Sequence, residues 1–297
     1  MTETAAKKRR GRVSRAVKST FSYAVLAAFA LAFLIPFYII LITSFKATNR
    51  LATSTPFVWL PAFRDLGWDG YRNLFTEYTV TKTGASMVLT GVKNTFLVAV
   101  PVVFVGMLAS CVSAYAFAKI DFRLKKTMFG ALLFSMMLPG IVLLIPSFVI
   151  FDFLYLTDTF FPLIVPAMFG SAAGVFFLRQ FFSGIPDELL DAGRIDGMGH
   201  ARIFLQIMIP LSLPAILAQA VLGFIACYND YLNPLIYLRQ EEKYTLQIAL
   251  QMFSGGNMTH LPTVMAGAVL ALIPTIAVYL VAQKYFVAGI TMSGLKA

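Results

Sequence analysis

Long apolar runs constrain this chain more than any other feature of its sequence. One of them, NTFLVAVPVVFVGMLASCVSAYAFA, occupies residues 94–118. An α-helix needs about 20 apolar residues to cross a hydrocarbon core of roughly 30 Å. Charged residues make up 13% of the chain and the mean hydropathy is +0.78, whereas soluble proteins contain about 25% charged residues. Lipid is therefore predicted to be the main solvent of this chain.

The chain is predicted to cross the membrane six times. The predicted spans are residues 21–43, 94–118, 127–151, 159–178, 209–237 and 262–287. The first span is longer than the apolar core of a secretory signal peptide, which has about 7–15 residues, so it is predicted to remain as an anchor. The predicted organisation is a basic tail at 1–20 followed by one six-span membrane domain at 21–297.

Basic residues near the span ends indicate the orientation. The tail is rich in them, with Lys7, Lys8, Arg9, Arg10, Arg12, Arg15 and Lys18. The loop at 119–126 is also basic, whereas the loop at 152–158 contains no Lys or Arg. Because basic loops stay in the cytoplasm, both termini are predicted to be cytoplasmic. A basic segment directly before an apolar span is typical of a topology signal, so no nucleic-acid partner is predicted.

The sequence predicts no catalytic chemistry within this chain. It contains no G-x-x-x-x-G-K-[ST] segment for nucleotide phosphates. The spans contain no pairing of a nucleophile with a base. The two cysteines, Cys111 and Cys227, lie within apolar runs and give neither a disulfide framework nor a metal-ligand spacing. Any energy from nucleotide hydrolysis is therefore expected to come from a partner.

The predicted inside loop at 183–208 contains the most informative stretch, IPDELLDAGRIDG. Pro186 suits a first helical position, and the two acidic residues after it suit the first turn of a helix. Glycines weaken the helix, so an elbow is predicted near Asp196 and Gly197. A second helical segment is predicted to lead from Ile203 into the fifth span.

One side of the first helix of this loop is predicted to be apolar. It would be formed by Leu189, Leu190, Ala192, Ile195 and Met198. Taken alone, this pattern is as typical of a passive amphipathic connector on the membrane surface as of a docking element.

The same loop resembles a motif of one transporter family. The segment DAGRIDGM, followed after eight residues by IMIP, is similar to the EAA loop in the membrane subunits of ABC importers. That motif is written E-A-A-x-x-x-G, followed at a fixed spacing by I-x-L-P. The matching residues are Asp191, Ala192, Gly193, Gly197, Ile207 and Pro210.

The resemblance extends over nearly the whole chain and narrows to the carbohydrate-importer branch, the maltose-permease-like group. The segments that carry it are KNTFLVAV, AYAFAKIDF, MMLPGIVLLIPSF, FFLRQFFSGIPDELLDAGRIDG, YNDYLNPLIYL and YFVAGITMSGLKA. It implies an all-α integral membrane protein with the type I ABC importer permease fold, in which six transmembrane helices carry a cytoplasmic EAA-type coupling helix.

The resemblance also implies a function and a set of partners. The chain would be a permease subunit of an ATP-driven, binding-protein-dependent sugar importer, and it would form half of the translocation path. Its partners would be a second permease subunit, an ATPase dimer and an extracellular solute-binding protein. ATP and Mg would bind to the ATPase, so no cofactor is expected in this chain. The location would be the plasma membrane of a bacterium or an archaeon.

The coupling residues are also carried over from the family. They are Glu188, Asp191, Ala192, Gly193, Asp196, Gly197 and Met198. The family typically has Glu, Ala and Ala where this chain has Asp191, Gly193 and Met198. The segment MFSGG at 252–256 resembles the outside loop that contacts the binding protein in this branch.

Polar residues near the end of the fifth span are predicted to contact the solute. The candidates are Tyr228, Asn229, Asp230 and Asn233. The two asparagines are four residues apart and would share one face of a helix. Asp230 is the acidic residue of that apolar stretch, and ionisable residues in spans are costly and indicate function. Its alternative role is that of a solvated or helix-breaking residue near the outer interface.

Two other classes of protein stay open from the sequence. A self-contained secondary carrier would use Asp230 as an ion or proton site. Such a carrier predicts internal repeats and charge pairs, and the spans contain no clear repeat and no partner cation. A scaffold or receptor subunit that moves no solute is the other class. The solute also stays open among simple sugars, oligosaccharides and polyol phosphates.

Overall fold

The computed structural model describes residues 3–254 and 260–294, and the side chains of residues 19–253 and 260–283. Within these ranges the chain is helical and contains no strand, as the sequence predicts. The helices are α1 (Glu3–Ser44), α2 (Asn49–Ala52), α3 (Asp69–Thr76), α4 (Met87–Lys119), α5 (Lys125–Met137), α6 (Gly140–Phe153), α7 (Phe161–Met168), α8 (Ala172–Ser183), α9 (Asp187–Ile195), α10 (His200–Ile203), α11 (Ile209–Tyr228), α12 (Leu232–Tyr237), α13 (Leu246–Ser254) and α14 (Leu261–Gly294). Short 3-10 helices occupy Phe63–Asp65 and Glu241–Lys243, and a π-helix occupies Phe204–Met208. The glycines of the predicted MFSGG loop, Gly255 and Gly256, lie outside the described residues.

Five helical segments of the described chain are long and apolar enough to cross a membrane. They are Ser19–Ser44, Met87–Lys119, Phe161–Ser183, His200–Tyr228 and Leu261–Gln283. A sixth span is obtained when α5 and α6 are taken together. The chain is thus a multi-pass membrane protein, and the six predicted spans are accounted for with this bent pair as the third.

The third predicted span is not one straight helix. Its two halves, α5 and α6, meet at an angle of 98°. Leu138 ends α5 with extended backbone, at φ −79° and ψ 118°. Proline disfavours the helical conformation in the residue before it, and here that proline is Pro139. The span predicted at 127–151 is therefore formed by two helices that break at Pro139.

The fifth predicted span is also interrupted. The helical segment begins at His200, earlier than predicted, and α11 ends at Tyr228. Pro234 lacks the N–H that would bond to the carbonyl of Asp230, and its ring would clash with that carbonyl in a continuous helix. A separate helix, α12, therefore follows the break. The span predicted at 209–237 is thus formed by two helices. The predicted shared helical face for Asn229 and Asn233 is wrong, because the break lies between them.

Contacts divide the chain into two units. The first contains Met1–Asn73 and His260–Val269, and the second contains Leu74–Thr259 and Leu270–Ala297. In the first unit, the ring of Phe45 packs against the rings of Trp68 and Tyr71 with centroids 5.0 and 5.1 Å away. Interfacial aromatic residues of this kind are typical of the ends of membrane spans.

The second unit is built around α4, which packs against α7, α8, α11 and α13. Its main core contains Cys111, Ala114, Tyr115, Phe117, Val175, Leu178, Phe182, Ile185, Leu190, Ile203, Phe204, Met208 and Ala215. This core joins the last turns of α4 and α8 to the residues between α9 and α11. The loop that resembles the EAA motif is therefore packed against the ends of the spans and does not project freely from them.

Candidate functional site

Hydrogen bonds and a salt bridge join the start of α9 to the end of α4. Pro186 precedes the helix as its cap, one position earlier than predicted, and Asp187 is the first helical residue. The ammonium of Lys119 donates hydrogen bonds to the carbonyl of Ile185 at 2.6 Å and to Asp187 Oδ1 at 2.7 Å. The Lys119 side chain is only 5% exposed. Its hydrogen bond and charge lower the pKa of Asp187, so this carboxylate stays ionised at the positive end of the helix dipole.

The end of α9 is the elbow that the sequence predicts. Gly197 has a φ of +78°, a conformation that side chains with a Cβ rarely adopt. Its amide donates to the carbonyl of Arg194 at 3.0 Å, and the amide of Met198 donates to the carbonyl of Gly193 at 2.9 Å. These two bonds form a Schellman motif, which satisfies the last carbonyls of the helix and turns the chain sharply.

The outer face of α9 is a single helical stripe. It consists of Glu188, Asp191, Ala192 and Ile195, which are all exposed. Their spacing of three and four residues places them on one side of the helix. Asp191 accepts a hydrogen bond from Arg194 Nη1 at 2.7 Å, and Ile195 is 87% exposed. The stripe thus combines two carboxylates with an apolar side chain at the elbow.

The inner face of α9 packs on the membrane domain. Leu190 and Gly193 are buried, and Met198 is half-buried. A Cβ on Gly193 would lie 3.0 Å from Ile207 Cδ1. The residues of the predicted apolar side thus divide between two faces, with Leu190 buried and Met198 half-buried, whereas Leu189, Ala192 and Ile195 are exposed. Of the predicted coupling residues, Gly193 and Met198 support the elbow from inside, whereas Glu188, Asp191, Ala192, Asp196 and Gly197 are exposed.

A cavity of about 540 Å³ lies among α4, α7, α11 and α12 of the second unit. Apart from the Cys227 thiol, its polar lining consists of Thr95, Ser110, Ser171, Gln219, Asp230, Asn233 and Thr245. From Thr95 to Ser110 the cavity follows α4 over about 22 Å, at 1.5 Å per residue. Asp230 lies toward the end with Thr95 and Thr245, away from the elbow. Most of the remaining lining is apolar, and small-molecule sites combine apolar walls with a few polar groups in this way.

Two of the four predicted path residues line this cavity. They are Asp230 and Asn233, at the break between α11 and α12. The backbone amide and the side-chain amide of Asn233 donate to Asp230 Oδ1 and Oδ2, at 3.2 and 2.8 Å. Asp230 thus caps the start of α12 and also lines the cavity.

The other two predicted path residues do not line the cavity. Tyr228 is 1% exposed, and its hydroxyl donates to the carbonyl of Ala271 at 3.1 Å. Asn229 is exposed, and its side-chain amide donates to the carbonyl of Ile225 at 3.0 Å. Tyr228 therefore joins helices, and Asn229 satisfies the end of α11.

Similarity to known proteins identifies the family of this chain. A family model described as "binding-protein-dependent transport system inner membrane component" matches residues 103–292. That range includes the elbow and most of the cavity lining. The chain belongs to this family. A self-contained secondary carrier is thereby contradicted, because members of this family work in systems that depend on a binding protein.

Relatives of this inner membrane component have names that refer to different solutes. The chain is 31% identical over 278 residues to the arabinooligosaccharides transport system permease protein AraQ of Halalkalibacterium halodurans, covering 93% of this chain and 95% of that protein. It is 36% identical over 202 residues to the sn-glycerol-3-phosphate transport system permease protein UgpE of Yersinia enterocolitica, covering 67% of this chain and 72% of that protein.

A solved structure shows the same fold as this inner membrane component. It is the crystal structure of a bacterial ABC transporter involved in the import of the acidic polysaccharide alginate. The TM-score is 0.77 at 25% identity, covering 92% of this chain and 98% of that chain. The fold is that of an ABC importer permease.

The Asp158 carboxylate of this permease anchors the segment before α13, and the sequence analysis did not predict it. Asp158 Oδ1 accepts the amides of Arg239 and Gln240 at 2.9 and 3.2 Å. Its Oδ2 accepts the ammonium of Lys243 at 2.9 Å. Burial raises the pKa of Asp158, but these hydrogen bonds together outweigh burial and lower the pKa. No local signal predicts this contact, because Asp158 and Lys243 are 85 residues apart.

Replacing Asp158 with Ala is expected to destabilise the segment before α13 by about 2 kcal/mol, because a charged acceptor of several hydrogen bonds is lost. Since the pKa of Asp158 is lower in the native state than in the unfolded state, the anchor stabilises the fold fully above the unfolded-state pKa, and this contribution is lost as the pH falls through the native pKa. Limited proteolysis and thermal unfolding between pH 3 and 7 measure both effects. Asp152→Ala is the control, because Asp152 lies in the last turn of α6 and its exposed carboxylate accepts only the hydroxyl of Thr157 in the described part of the chain. Equal stability of the two variants would contradict the anchor.

Proposed function

We propose that this chain is one permease subunit of an ATP-driven, binding-protein-dependent saccharide importer. The observation that carries the proposal is the outward stripe of α9 beside the Gly197 elbow. A helix that is packed on its inner face and exposes Ile195 on its outer face suits docking to another protein. We assign the opposing surface to a cytoplasmic ATPase, which would bind ATP and Mg.

The Gly197 elbow supports a mechanical role for this contact. The Lys119 bridge fixes the start of α9, and the Schellman motif fixes its end. Residues from Ile203 to Met208 share a core with α4 and α8. A push on the outer stripe would therefore move the membrane spans as well as the loop. Two other predicted coupling residues, Gly193 and Met198, would act by keeping this joint packed, and the exposed Asp196 lies at the elbow itself.

A second permease subunit is a further part of the proposal. Neither α5 nor α6 contains a buried residue in the described chain, although both are strongly apolar. Lipid and a second permease would cover these faces together. The basic tail and the basic loop at 119–126 support an orientation with both termini in the cytoplasm of a bacterial or archaeal cell. In that orientation the segment before α13 faces outward, toward an extracellular solute-binding protein.

The solute is proposed to be a saccharide that passes through the cavity beside Asp230 and Asn233. A carboxylate and an amide can bond to sugar hydroxyls, and the apolar wall suits the faces of sugar rings. The arabinooligosaccharide relative agrees with this substrate class.

The proposal is tested by purifying the tagged chain from its own host in mild detergent. We expect an ATPase, a second permease and ATP-dependent saccharide uptake after reconstitution with the binding protein. Solute movement by the chain alone along an ion gradient would contradict the proposal. A complex that binds its partners but transports no solute would favour a scaffold or receptor instead.

Ile195→Asp is expected to reduce the amount of co-purified ATPase about tenfold, because a charge replaces an exposed apolar contact and a tenfold change corresponds to about 1.4 kcal/mol. Leu60→Asp is the matched control, since Leu60 is 85% exposed in the outer loop of the other unit. Quantitative mass spectrometry of the purified complexes measures the ratio. Unchanged ATPase recovery with Ile195→Asp would contradict docking through this stripe.

A further inference from the structure

The cavity of this permease contains one formal charge among its described lining residues. That charge belongs to Asp230, and the lining includes no Lys, Arg or His. The other polar lining groups are hydroxyls, amides and the Cys227 thiol. An anionic solute in this cavity would therefore meet a negative charge without a compensating cation.

The hydrogen-bonding capacity of the Asp230 carboxylate also disfavours an anionic solute. A carboxylate only accepts hydrogen bonds, and each of its oxygens has two lone pairs. Asn233 occupies one position on each oxygen of Asp230. The remaining positions can accept hydrogen bonds from a sugar hydroxyl. A phosphate or a uronate carboxylate offers ionised oxygens with no hydrogen to donate, so it cannot satisfy them.

Neutral polar groups near Asp230 also favour a neutral solute over an anionic one. Thr245 lines the cavity, and its buried hydroxyl has no hydrogen-bond partner within the described part of the chain. Thr95 also lines it, and its hydroxyl accepts the amide of Leu246 at 2.9 Å. A hydroxyl group both donates and accepts, so these side chains match the hydroxyls of a neutral saccharide.

We propose that this cavity selects neutral saccharides against anionic solutes, and that the Asp230 carboxylate is the selecting group. This inference rests on the proposed function, because it takes the cavity as the solute path. The relatives include a permease named for an anionic solute, sn-glycerol 3-phosphate, so the charge of the solute is a property that must be tested for this chain. At close range a charge pair in a partly buried site interacts far more strongly than in bulk water, so one carboxylate is sufficient for selection.

The test measures binding to the purified transporter complex without its binding protein, by saturation-transfer NMR. The neutral probes are arabinotriose, xylotriose and maltotriose, and the anionic probes are trigalacturonate and sn-glycerol 3-phosphate. We expect the best neutral probe to bind at least tenfold more tightly than either anion. We expect Asp230→Asn to reduce that ratio to about threefold or less, since the amide keeps an acceptor for the α12 cap but removes the charge.

Two further variants make the result specific. Asp230→Ser also caps a helix without a charge, so it replaces Asp230→Asn if that protein does not fold. Asp152→Asn removes an exposed carboxylate that does not line the cavity, and it is expected to leave the ratio unchanged. Equal binding of an anion and the best neutral probe overturns the inference, as does an unchanged ratio in both Asp230 variants or the absence of binding by every neutral probe. Stimulation of ATP hydrolysis by the binding protein tests the proposed function separately.

Discussion

Gly197→Val is expected to reduce ATP-driven uptake about 30-fold or more. A β-branched residue at a φ of +78° carries backbone strain of about 1–3 kcal/mol, which the chain relieves by opening the elbow. Opening breaks the bonds from the amides of Gly197 and Met198 to the last carbonyls of α9. The outer stripe then turns away from the proposed ATPase. Uptake and ATP hydrolysis in proteoliposomes measure the loss of coupling.

Two variants control for the size and the position of this change. Gly197→Asn is expected to retain most activity, because Asn tolerates the left-handed conformation better than other residues with a Cβ. Gly199→Val is expected to be nearly neutral, since Gly199 has an ordinary φ of −77° and no atom within 4 Å of an added Cβ. Similar losses in Gly197→Val and Gly199→Val would contradict the role of the elbow conformation.

The sequence predicts the elbow because its signals are local. Proline before Asp187, acidic residues in the first turn and glycine at the end each act within one turn of α9. The resemblance to the EAA loop uses the same residues. What the sequence could not assign was the direction of each side chain, because that depends on the core formed with α4 and α8. The sequence predicts that Leu190 and Ile195 share one apolar side, whereas Leu190 is buried and Ile195 is 87% exposed.

The breaks in the third and fifth predicted spans show the limit of hydropathy. Pro101, Pro146 and Pro274 lie inside helices, whereas Pro139 and Pro234 accompany breaks. Hydropathy measures transfer to lipid and says nothing of chain direction. Whether a proline bends a helix or ends it depends on which neighbours satisfy the freed carbonyl, and those neighbours are distant in sequence.

The cavity was predictable only in part for the same reason. The polarity of Asp230 and Asn233 in an apolar stretch predicts that they contact the solute. Tyr228 also carries a polar group in that apolar stretch, but its hydroxyl donates to the carbonyl of Ala271, 43 residues away. Gln219 and Thr245 line the cavity and carried no distinguishing pattern. Polarity indicates which residues require partners, and the packing of helices determines whether the partner is protein or solute.

Gly106→Leu is expected to lower the stability of the permease by about 3 kcal/mol, because overpacking against backbone leaves no flexible neighbour to move. A Cβ at this position would lie 2.7 Å from the carbonyl oxygen of Ala167. Small residues let membrane helices approach this closely, and α4 and α7 both line the cavity. The larger side chain must separate the two helices and change the cavity wall. The melting temperature of the detergent-solubilised protein is expected to fall by about 5 °C or more.

Gly130→Leu is the matched control for this change. Gly130 also lies inside a membrane helix, α5, but no atom lies within 4 Å of an added Cβ. Leucine is a better helix former than glycine, so this variant is expected to be neutral or slightly stabilising. Solute binding should also fall in Gly106→Leu and not in Gly130→Leu, because only Gly106 lines the cavity. Equal melting temperatures for the two variants would contradict the close approach of α4 and α7, whereas a loss of stability without a loss of binding would contradict the cavity as the solute path.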